Sequence, residues 1–89
     1  MESPESRLGR LRSRSMWRGT REMDLILRDF AARHLAALPA PDLYLYESLL
    51  EEPDPDLLAW ITGAAEPPAR HAPMVARIRA GAVGVAKVP

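Results

Sequence analysis

At 89 residues the chain is one small domain, too short for a large enzyme core with its own cofactor cavity, because a chain of this size buries only about 60–65% of its unfolded surface. Twelve basic residues balance twelve acidic ones, which argues against a generic polyanion binder. Cysteine is absent, so a disulfide framework, a thiolate metal site and a cysteine nucleophile are excluded.

The neutral total hides a segregation along the chain. Arg7, Arg10, Arg12, Arg14, Arg18 and Arg21 lie in a stretch without acids, while Asp42, Glu47, Glu51, Glu52, Asp54 and Asp56 lie in a stretch without bases. The two patches could face each other in the fold, or one could face a partner. No apolar run approaches the ~20 residues that span a bilayer, and the first residues lack the apolar core of a secretory signal. A cytoplasmic bacterial protein is expected, or a mitochondrial matrix protein if the source is eukaryotic.

The expected architecture is all-α, a small five-helix bundle forming a single domain over 1–89, with an ordered core at about 7–80 and flexible ends at 1–6 and 81–89. Arg7 to about Met16 reads as a short basic helix, with Leu8, Leu11 and Ser15 on one face and Arg7, Arg10 and Arg14 on another. Met23, Ile26, Leu27, Phe30, Ala31 and His34 or Leu35 then give the 3, 4, 7 spacing of a strongly amphipathic second helix.

Leu38-Pro39-Ala40-Pro41 ends that helix, and Asp42 to Glu52 is expected as a third, with Leu43, Tyr46, Leu49 and Leu50 for the core. Asp54 is placed as N-cap of a fourth helix, Pro55 to Thr62, with Pro55 at its first position and Gly63 as a left-handed stop. Leu57, Leu58, Trp60 and Ile61 are its payload. After a proline-containing connection, Pro73 can open a fifth helix carrying Met74, Val75 and Ile78. No stretch alternates with period two long enough for a strand.

Catalytic constellations do not emerge from the spacing. His34 and His71 sit in no H-x-x-x-H or H-E-x-x-H pattern; His34 is expected to close the apolar stripe of the second helix and His71 to lie in a solvated loop. The acids from Glu51 to Asp56 lack the glycine and alternating ligands of a calcium loop. A nucleic-acid module could use the first basic helix along phosphates and stack Trp17 on a base, but the balancing acids and the lack of a helix-turn-helix pattern place this behind protein binding.

The stretch MWRGTREMD, residues 16–24, holds the most informative residue. With Gly19 as N-cap of the second helix, Glu22 falls at N3 and can bond back to the cap amide, a capping box with glycine in place of serine. Local physics favours that account, yet it leaves Arg18 unexplained. A residue without a side chain, between exposed Arg and Glu, is also what close backbone approach to another protein requires.

Arg18-Gly19-Thr20-Arg21-Glu22-Met23-Asp24 is similar to the pattern R-G-x-x-E-(L/M)-D of the small FAD assembly factors of succinate dehydrogenase, named SdhE in bacteria, which have mitochondrial counterparts. Leu49 to Ile61, LLEEPDPDLLAWI, is similar to their second block, L-L-E-x-x-D-x-D-L-x-x-W-(L/I). The two blocks with their surrounding helices run from about Leu8 to Gly63, beyond which the resemblance fades.

The resemblance implies a five-helix fold, binding to the flavoprotein subunit of succinate dehydrogenase and, in bacteria often, of fumarate reductase, and stimulation of covalent FAD attachment there. It implies that the factor is not itself the catalyst; no dinucleotide fingerprint is present, so no tight cofactor site is expected, and the factor is expected to be a monomer when free. Arg18, Gly19 and Glu22 match the family's functional motif and are the expected partner contacts. The family often has a second arginine where this chain has Trp17, so the charge there is either supplied by Arg14 or Arg21 or missing, and all three residues belong to the expected surface. Asp54, Asp56 and Trp60 are assigned to capping and packing. A generic protein-interaction bundle remains the broader alternative.

Overall fold

A computed structural model describes residues 2–15 and 21–82. Its elements are α1 (Pro4–Arg14), α2 (Arg21–His34), a 3-10 turn (Leu35–Ala37), α3 (Ala40–Leu50), α4 (Asp54–Thr62) and α5 (Ala72–Ala82), with no strand among the described residues. The all-α, five-helix expectation therefore holds.

Several boundaries move, each for a local reason. α1 starts at Pro4 rather than Arg7: Ser3 is the N-cap, its hydroxyl accepts from the Ser6 amide at 3.1 Å, and Pro4 has no amide to satisfy. α3 starts at Ala40 rather than Asp42, because the extended Pro39 supplies the carbonyl that accepts the Leu43 amide at 2.9 Å. α4 starts one residue early. Its N-cap is Pro53, whose carbonyl accepts from Leu57 at 3.1 Å, so Asp54 is the first helical residue instead of the cap. Asp54 and Asp56 still lie in the first turn, where the helix dipole favours negative charge. Gly63 is the left-handed stop, with φ +85°.

The centre of the molecule is the apolar stripe of α2. Met23, Ile26, Leu27, Phe30 and Ala31 are buried and Leu35, in the 3-10 turn, continues them. His34 does not: it is exposed, with its ring 5.1 Å from that of Phe30. An unbroken α-helix would carry His34 along the stripe, but α2 ends at His34, whose φ of −125° and ψ of −23° lead into the 3-10 turn and bring Leu35 to the core instead.

Against this stripe pack α1 and α5, and α5 is covered in turn by α3 and α4. Leu11 comes from α1, Tyr46, Leu49 and Leu50 from α3, Leu57, Trp60 and Ile61 from α4, and Met74, Val75 and Ile78 from α5. Trp60 and the 57–61 face thus serve the core, as the spacing suggested.

Gly63 is also close to Arg79: a Cβ at this position would lie 3.1 Å from its Nη2. Gly63→Ala adds that crowding to the cost of left-handed backbone, and thermal unfolding should show a loss of about 1 kcal/mol.

Candidate functional site

Positions Trp17, Arg18 and Gly19 lie outside the described residues, and so does the predicted Gly19 cap. What the structure describes is the pair of helix ends on either side of them and the groups that hold those ends.

On the upstream side, Leu11 and Ser15 are fully buried. The Ser15 hydroxyl donates to the Leu11 carbonyl at 2.7 Å and lies 2.5 Å from the Tyr46 hydroxyl. Because a serine has one proton and the carbonyl takes it, Tyr46 is the donor in the second bond. Tyr46 is itself fully buried, with its ring 5.5 Å from Phe30 of α2. The end of α1 is thereby tied through α3 to α2. On the downstream side, Met23 is fully buried one residue after Glu22, so the first turn of α2 is held to the core while Arg21 and Glu22 remain exposed.

The basic and acidic stretches face each other. Arg7 Nη2 lies 3.2 Å from Glu47, Arg10 Nη2 lies 2.6 Å from the other oxygen of Glu47, and Arg10 Nε lies 2.9 Å from Glu2. Arg14 Nη1 lies 3.0 Å from Glu51, and its Nη2 reaches the Leu50 carbonyl at 3.5 Å. The hydrogen bond to Glu51 raises the Arg14 pKa, and the bond from Arg10 lowers that of Glu2. Arg14, expected at the partner surface, is thus half-buried against α3, whereas Arg21 and Glu22 are free to meet a partner.

His71 overturns its expectation. It is 1% exposed, its Nε2 lies 2.8 Å from Glu52, and its ring lies 5.7 Å from that of Trp60. Its Nδ1 is buried without a partner, so Nε2–H is the donor to the carboxylate. The signal was in the spacing, since His71 lies one turn before Met74 and Val75 on the buried stripe of α5. Arg70 adds a second contact to Glu52 at 3.0 Å, and the two bonds, that from His71 first, lower the Glu52 pKa. The cluster joins the α3–α4 turn to the entrance of α5. Among the described residues no group of three or more His, Asp or Glu side chains could hold a metal ion, and no helix is long and apolar enough to cross a membrane.

Residues 9–82 match the protein family described as "Flavinator of succinate dehydrogenase". The chain is 37% identical over 73 residues to "FAD assembly factor SdhE" of Legionella pneumophila (strain Lens), covering 79% of this chain and 92% of that protein. It is 41% identical over 71 residues to "Succinate dehydrogenase assembly factor 2, mitochondrial" of Mycosarcoma maydis, and 40% over 67 residues to the protein of that name in Schizosaccharomyces pombe. These matches cover 80% and 75% of this chain but 30% and 48% of the fungal proteins, so the chain spans less than half of their length. The family match runs through α5, well past Gly63.

Two predictions follow from these contacts. Tyr46→Phe removes the donor to Ser15 while leaving the ring in place, and should lower stability by about 1 kcal/mol in a denaturant melt, with the helical spectrum preserved. Glu52 and Glu2 have folded pKa values below the ordinary 4.5, so the stability they contribute is present above that pH and lost as pH falls through the folded values. The melting temperature should therefore drop on acidification below about pH 4.5, and less steeply in Glu52→Gln, whose amide oxygen can still accept from His71.

Proposed function

Since the chain belongs to the family described as the flavinator of succinate dehydrogenase, we propose that it binds the flavoprotein subunit of that enzyme and promotes covalent attachment of FAD to it. The carrying observation is that both blocks of family resemblance fall inside one match covering 9–82, with the helix ends on either side of residues 16–20 held by the core. In bacteria the flavoprotein of fumarate reductase is a second client. The bond forms within the flavoprotein, on one of its own histidines.

The factor then acts by holding a domain arrangement of the flavoprotein in which histidine and flavin are aligned. Stabilising a reactive geometry accelerates a step without contributing a nucleophile, provided the factor binds that arrangement more tightly than the alternatives. Gly19 would let the two backbones approach closely. Arg18 would give a planar charged fork to acceptors on the flavoprotein, Glu22 would accept from its donors, and Arg21 and Trp17 would flank them. No cofactor need be bound tightly by the factor itself, and it would act as a monomer in the cytoplasm, or in the mitochondrial matrix of a eukaryote.

The nucleic-acid reading relied on the basic face of α1. Arg7, Arg10 and Arg14 are instead committed to Glu47, Glu2 and Glu51, which removes most of its charge.

Co-expression of the flavoprotein subunit with this protein should raise the flavin fluorescence that stays with the denatured subunit in a gel; equal fluorescence without it would sink the reading. Gly19→Arg should abolish the stimulation with little change in the thermal melt. A large loss of stability instead would mean that Gly19 serves as a cap alone.

A further inference from the structure

We propose that the face shared by α1 and α2, on the side of α1 away from α3, docks an acidic segment of the flavoprotein subunit between Arg12 and Arg28, with Arg21 extending the contact. This rests on the flavoprotein reading and adds to it a second contact surface outside the R-G-x-x-E stretch.

The helical phase of α1 divides its arginines. At 100° per residue, Leu8, Leu11 and Ser15 define the buried side, Arg7, Arg10 and Arg14 fall on one flank, and Arg12 falls on the other. The first flank meets the carboxylates of α3 and is neutralised. The second flank meets α2, where Arg28 stands across an open notch of about 210 Å³ lined by Arg12, Arg28, Ala31 and Ala32. Two like charges therefore border one notch.

Arg12, Arg21 and Arg28 are exposed, and among the described residues no carboxylate pairs with any of them. The fold thus uses its acids on one side of α1 and leaves three guanidinium groups uncompensated on the other. Arg21 and Arg28 are seven residues apart on α2, two turns or roughly 10 Å along one stripe. Ala31 and Ala32 give the notch an apolar floor, and their small side chains leave room for an incoming aliphatic group.

The complementary occupant sets a small apolar side chain in the notch with carboxylates beside it for Arg12 and Arg28, and a further carboxylate about 10 Å along α2 for Arg21. A phosphate backbone would satisfy the charges but would leave the apolar floor without a partner. Arg21 begins the same helix turn as Glu22, so the surface is continuous with the proposed flavoprotein contact.

The test measures binding of the full chain to the purified, non-flavinylated flavoprotein subunit at low and at moderate ionic strength. Gly19→Arg and the exposed Arg79→Glu serve as the two controls. Arg12→Glu with Arg28→Glu should weaken binding about tenfold or more at low salt and flatten its salt dependence, with an unchanged melt, while Arg79→Glu binds like the unaltered chain. A photo-crosslinker at Ala32 should capture a carboxylate-rich peptide of the flavoprotein. If the double variant binds normally while Gly19→Arg does not, the proposed surface is wrong and the flavoprotein reading stands. If the unaltered chain does not bind the flavoprotein, both fall. Salt-sensitive self-association, or oligonucleotide binding, abolished by the double variant would assign the face to another occupant and overturn the proposal.

Discussion

Everything in this bundle is arranged around the burial of one helical stripe. Met23, Leu27 and Leu35 are fully buried, Ile26, Phe30 and Ala31 nearly so, and α1 and α5 pack directly against α2. Each such side chain contributes on the order of 2 kcal/mol by leaving water, and a domain this small has few others to draw on. The stripe begins at Met23, so burying it also fixes the first turn of α2, where Arg21 and Glu22 point outward. The exposed residues assigned to partner binding are therefore held by the most strongly buried part of the chain.

Charge does a different job. The paired carboxylates opposite Arg7, Arg10 and Arg14 are partly exposed, so each contact contributes modestly and is screened by salt. Their effect is to orient: they select which flank of α1 meets α3, and by doing so decide which arginines remain on the outside. A chain with zero formal net charge thus presents a locally basic face.

One buried and one partly buried polar contact complete the assembly. Ser15 with Tyr46 ties α1 to α3, and His71 with Glu52 ties the entrance of α5 to the α3–α4 turn. Both join segments distant in sequence at places where an apolar contact would specify the register less sharply, since a buried hydroxyl or imidazole left unpaired is costly. The price is visible at His71 Nδ1, which is buried without a partner.

The helix count, the stripe of α2, the core role of Trp60 and the stop at Gly63 were legible in the sequence because they depend on local periodicity and backbone preference. The family blocks were legible too, as runs of contiguous residues. Helix starts at Pro39 and Pro53 were misread by one or two residues, because a proline carbonyl can accept the first helical bond as readily as a neighbouring aspartate can cap. The buried place of His71, the pairing of α1 with α3 and the unpaired flank of Arg12 and Arg28 were decided only by tertiary structure. Each depends on the rotation of one helix against another, which no single segment encodes.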